Sequence, residues 1–180
     1  LFYNVQALED AGVAVPATME EFAEAASDLS GTDENGQQVW GYDEPALAGW
    51  NLCPFIWSCG GELLSPDQTQ AEGYLNGEKT VAAVRVLADL YQEGALTGFN
   101  SGDIPMTDGF GTGRYAMILE GPWKIAEMEG AYPDFQYETA PMPAGDGGSV
   151  SVLGGEDISM FTGANQEAAW KFMQFMTGEF

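Results

Sequence analysis

Apolar positions recur at helical spacing in several stretches of the chain. Met19, Phe22, Ala23, Ala26 and Leu29 repeat every three or four residues, with Glu20, Glu24 and Asp28 on the opposite side. Thr18 and Glu21 stand at the spacing of a capping box, which places the start of that helix. Residues 78–93 give the clearest helix, with Val81, Val84, Leu87, Ala88 and Tyr91 predicted as its buried face and Gly94 as its C-cap. Trp50, Cys53, Pro54 and Trp57 form a further apolar stripe, entered near Pro45 and ended by Gly60-Gly61. Pro54 has no amide hydrogen, so this helix either begins only a few residues earlier or kinks there. Ala169, Phe172, Met173 and Met176 predict the buried stripe of a last helix. Shorter helical segments are expected at Leu8–Gly12, Thr107–Phe110 and Trp123–Glu129.

Strand-like runs lie between these helices. They are Leu1–Val5, Val39–Tyr42, Tyr115–Leu119, Phe135–Thr139 and a last one within Val150–Phe161, interrupted by Gly154-Gly155. Pro141-Met142-Pro143 followed by Gly145–Gly148 reads as a linker. Ser30–Gln38 is polar and turn-rich. Asp33, Asn35 and Gly36 faintly suggest a calcium loop, but the other ligand positions are missing, and a solvated turn is the expectation. No internal repeat occurs. Helices and strands mixed in this order predict an α/β or α+β architecture.

Charge changes the picture more than length does. Five basic residues face 28 acidic ones, a formal net charge of −23. Such a surface repels phosphate backbones and anionic headgroups, so nucleic acid and direct membrane-surface binding are disfavoured. No apolar run reaches the roughly 18–20 residues needed to span a bilayer. Histidine is absent, which removes the commonest general base and the commonest transition-metal ligand. Cys53 and Cys59 on one helix would lie about 9 Å apart along its axis and point to different sides, which predicts two buried free thiols. The chain opens inside an apolar run and stops where a helix would finish, so we read it as a piece of a longer protein.

Without histidine there is no Ser-His-Asp or Cys-His arrangement. A carboxylate-pair glycosidase needs only two acids, but an acidic chain offers dozens of pairs, so none is informative. Gly109, Gly111 and Gly113 follow no apolar strand and precede no lysine-serine pair, which argues against a phosphate cradle. The aromatic positions say more. Trp123 follows Gly121-Pro122 at a strand end, where an indole could stack on a pyranose face or plug the edge of the fold; position alone leaves both open. Trp50 belongs to a helical stripe but sits at its start, so it could face a cleft. Trp40, Trp57 and Trp170 are assigned to cores. Glu156 and Asp157, after two glycines, could accept hydrogen bonds from hydroxyls or remain solvated.

Several segments together resemble the extracellular solute-binding proteins of ABC-type sugar transporters, the family that includes maltose-binding protein. Leu1-Phe2-Tyr3-Asn4 and Pro16 to Phe22 are similar to its crossing strand and the helix after it. Phe55-Ile56-Trp57 with Gly60-Gly61-Glu62-Leu63 is similar to its central helix and glycine pair. Phe110-Gly111, Gly113 to Met117 and then Gly121-Pro122-Trp123 form the most specific stretch, and Gly154-Gly155 through Phe172 is similar to its return into the other lobe. The resemblance covers nearly the whole chain, in order. It implies a two-lobed periplasmic-binding-protein-like α/β fold (class II). Residues 1–142 would be most of the second lobe, 143–148 a hinge or linker, and 149–180 a fragment of the first. By the same resemblance Trp123 matches the sugar-stacking tryptophan, Trp50 a second sugar-contacting aromatic with Asn51 beside it, and Gly155 and Glu156 face the cleft from the other lobe. The implied function is capture of a mono- or oligosaccharide by lobe closure and delivery to an ABC permease. The protein would act as a monomer without catalysis, cofactor or metal. It would be extracellular, periplasmic or lipid-anchored on the outer face of the cell membrane. The near absence of basic residues departs from the family and keeps a cationic ligand, a polyamine or quaternary ammonium, as the alternative.

Overall fold

The computed structural model describes residues 1–44, 49–98, 104–163 and 165–178. The chain opens on β1 (Phe2–Asn4) and turns at once into α1 (Val5–Ala11), whose first turn is capped by the Asn4 side chain. α2 (Met19–Asp28) starts at the capping box: Thr18 Oγ1 accepts from the Glu21 amide at 3.2 Å, and Glu21 Oε2 accepts from the Thr18 amide at 3.2 Å. β2 (Gly31–Thr32) and β3 (Gln38–Glu44) follow, then α3 (Gly49–Ser58), α4 (Glu78–Glu93), β4 (Leu96–Gly98) and α5 (Met106–Gly111). β5 (Tyr115–Ile118), α6 (Trp123–Ala131), β6 (Tyr137–Thr139) and α7 (Gln166–Thr177) complete the order.

The strands form one mixed sheet in the order β2-β3-β5-β1-β6, with β4 also pairing with β3. β3 runs parallel to β5 and β4, aligning Asp43 with both Ile118 and Thr97, whereas β1 pairs antiparallel with β5 and β6. The larger core cluster packs α2, α3 and α4 against the sheet through Phe22, Tyr42, Phe55, Leu87 and Met117. A second cluster gathers Phe2, Phe110, Tyr115, Ile118 and Met128.

Most predicted elements appear, with corrections. The expected entry at Pro45 lies outside the described residues. Pro54 sits inside α3, described from Gly49. The buried face of α4 is Thr80, Ala83, Leu87 and Leu90, while Val81 and Tyr91 are exposed. The helix is rotated from the expected register, and its first turn meets Gly61 through Thr80. A Cβ on Gly61 would lie 2.7 Å from Thr80 Oγ1. Val150–Phe161 makes no strand: it finds no ladder partner among the described residues, and Leu153 and Phe161 are exposed. α7 buries none of its residues, so the expected stripe and the core placement of Trp170 are both overturned; Ala169 and Met173 are only partly covered. Trp40 is half-buried against Tyr115, and Trp57 is half-buried beside Leu63 and Tyr74. Cys53 is buried, but Cys59 only partly so; both are free.

The Pro- and Gly-rich segment is docked, not loose. Ala144 bridges to Thr18, and the Gly147 amide donates to the Ser58 carbonyl at 2.8 Å. Ser58 Oγ donates to the Val150 carbonyl at 3.2 Å and accepts from the Val150 amide at 3.0 Å. The end of α3 therefore fixes where the chain leaves the sheet.

Candidate functional site

A cleft of about 740 Å³ opens beyond the carboxyl end of β5, the kind of place where open α/β sheets hold ligands. Two helix starts build one wall. Trp50 lies in the first turn of α3, and Trp123 is the first residue of α6, set by Gly121-Pro122 just after β5. Their rings stand 5.7 Å apart with planes 40° from each other. They are 39 % and 48 % exposed, so neither indole is fully covered. Leu119, Pro54 and Pro122 complete this wall. Ser151 to Glu156 form the other side as an extended run without regular structure.

Two glycines allow the indoles to sit where they do. A Cβ on Gly121 would overlap the Trp123 ring, and one on Gly154 would lie 2.5 Å from the Trp50 ring. Gly154 thus joins the returning segment to Trp50 by direct contact. Any larger residue must displace the ring.

Two acidic groups, Glu120 and Glu156, line the cleft, and Glu120 Oε2 accepts from the Gly121 amide at 2.9 Å. Asp43 and Glu44, at the end of β3, do not line it and are buried. Removal from water pushes the Asp43 carboxyl up from the ordinary 3.8 to about 7. The Tyr42 hydroxyl donates to Glu44 Oε2 at 3.3 Å, and burial, followed by the charge of Glu44, holds the phenol well above its ordinary value. Among the described residues no group of histidine, cysteine or acidic side chains is arranged to hold a metal ion. No helix there is long and apolar enough to cross a membrane.

Of the residues singled out from the sequence, Trp50, Trp123, Gly155 and Glu156 come together in this cleft. Asn51 does not line it: the side chain is buried, and Nδ2 donates to the Leu119 carbonyl at 3.3 Å, tying α3 to the end of β5. Asp157 turns into a separate groove against α7, beside Trp170 and Met173. Sequence reasoning missed Glu120, Gly154 and the buried Asp43–Glu44 pair. Glu120, Asp43 and Glu44 lie at or just past the ends of two strands that prove to be parallel, whereas Gly154 carries no local signal of its contact with Trp50.

Such a mixed sheet, with an aromatic cleft at its strand ends and a returning segment across it, is the architecture of part of a two-lobed solute-binding protein. Residues 1–179 match the family model described as bacterial extracellular solute-binding protein, and the chain belongs to that family. Solved structures agree. The GacH receptor of Streptomyces glaucescens, solved unliganded and with acarbose, is 28 % identical with a TM-score of 0.77, over 98 % of this chain and 45 % of that one. An ABC transporter solute-binding protein from Thermotoga lettingae, bound with α-D-tagatose, is 26 % identical with a TM-score of 0.79, over 98 % and 47 %. MalE from Xanthomonas citri shares the fold at 21 % identity and a TM-score of 0.69, over 98 % and 45 %. The chain therefore spans about half the length of the structures it matches. No curated protein sequence matches it.

Proposed function

We propose that the protein carrying this chain captures a mono- or oligosaccharide outside the cell by lobe closure and delivers it to an ABC permease. The observation that carries the reading is the pair of half-exposed indoles brought together in one cleft. Apolar pyranose faces stack on such surfaces, while carboxylates and free backbone groups read the hydroxyls. Residues 1–142 supply most of one lobe, 143–148 the crossing, and 149–180 a part of the other lobe. Closure then follows from tighter ligand contact in the closed state than in the open one. The sugars bound by the receptor from Streptomyces glaucescens and the protein from Thermotoga lettingae support the ligand class.

Calorimetry of the intact protein against a panel of mono- and oligosaccharides tests this. Trp123→Ala is expected to weaken binding of the responding sugar about tenfold or more, the loss of one stacking surface. No heat with any sugar, or unchanged affinity in that variant, would refute the proposal.

A further inference from the structure

We propose that the ligand held between Trp50 and Trp123 is a carbohydrate bearing a protonated amine, with Glu120 and Glu156 as its countercharges. This rests on the sugar-capture reading and narrows it to a charge class. Two carboxylates share the cleft with the two indoles, and no basic side chain among the described residues lines it.

Each of the chain's five basic residues is placed elsewhere. Lys124 follows Trp123 in sequence, but its buried Nζ donates to Thr107 Oγ1 at 2.8 Å and Glu127 Oε2 at 2.6 Å. Lys79 pairs with Asp146 at 3.2 Å, and Lys171 with Glu167 at 3.0 Å. Arg114 donates to the Gln38 carbonyl at 2.6 Å and lies 5.5 Å over the Trp40 ring. Arg85 borders a groove along α4 with Asp89. The cleft acids are thus left without a protein countercharge among the described residues.

Closing a lobe over them removes water, and two carboxylates drying together cost free energy unless something compensates. Neutral hydroxyls offer only dipoles. An ammonium on a sugar ring offers a full charge, and its cationic face is also favoured over indole. The net charge of −23 steers such a ligand inward from long range.

The test compares β-1,4-linked glucosamine oligomers with their N-acetylated counterparts on the intact protein, at a pH where the amines are protonated, by calorimetry and tryptophan fluorescence. The amine form is expected to bind about tenfold tighter or more at low salt, with the ratio shrinking several-fold toward 0.5 M salt. Glu120→Gln and Glu156→Gln should each cut that ratio. Glu167→Gln, a charge change at a residue that does not line the cleft, should leave it in place. A ratio near one, or one indifferent to salt and to both cleft variants, overturns the inference and leaves sugar capture standing. Binding of spermidine or tetramethylammonium with no sugar response overturns both.

Discussion

Replacing Asp43 with asparagine isolates the buried acid of β3. Asp43 is 3 % exposed on β3, between β4 and β5. Its carboxyl releases its proton near the ordinary 3.8 in the unfolded chain and near 7 in the folded one, because burial penalises the charge. Between those values the folded state binds more protons than the unfolded state, so stability falls as pH rises. Below the lower value both states are protonated and no penalty exists. Above the upper value both are ionised and the penalty is complete. At about 1.36 kcal/mol per pH unit it reaches roughly 4 kcal/mol, of which about 2–3 kcal/mol accumulates between pH 5 and pH 8. Asparagine has nearly the same shape and no charge to bury.

Urea denaturation of both proteins at pH 5 and pH 8 measures this as a double difference. Every other acidic group is common to the pair, so the general acid response of so negative a chain cancels. The variant should gain roughly 2–3 kcal/mol on the wild type as pH rises over that interval. The absolute offset at either pH carries the exchange of one carboxylate oxygen for an amide, so only the change with pH is diagnostic. An equal difference at both pH values would refute the reasoning, because it would mean that Asp43 ionises as readily in the folded chain as in the unfolded one.

Three further outcomes follow from local geometry. Gly154→Ala places a methyl 2.5 Å from the exposed Trp50 ring, so the ring moves about 1 Å. Stability should change by less than about 1 kcal/mol while sugar affinity falls several-fold, and unchanged affinity and fluorescence would contradict the contact. Ser58→Ala removes both bonds to Val150 and should cost about 1–3 kcal/mol in urea denaturation, with faster amide exchange at Val150; retained protection there would exclude the pin. Thr18→Ala opens the capping box of α2 and should cost about 1 kcal/mol, a loss not expected for Thr32→Ala on the exposed β2.

What the sequence made legible divides along contact range. The capping box of α2, the C-cap at Gly94 and the extent of α4 are written in residues a few positions apart, and they appear as read. The face that α4 buries is not local. Apolarity favoured Val81 and Tyr91, but Thr80 packs against Gly61, and its Oγ1 has the Glu62 and Tyr74 carbonyls as acceptors. The stripe of α7 shows the converse, since periodicity reports a face suited to burial and not whether anything covers it. The cleft depends on a single non-local fact, the parallel pairing of β3 with β5. That pairing brings the starts of α3 and α6 side by side, turning Trp50 from a stripe residue into the neighbour of Trp123. Glu120, two residues past the end of β5, lines the same cleft, although before Gly-Pro it reads in sequence as an ordinary turn acid.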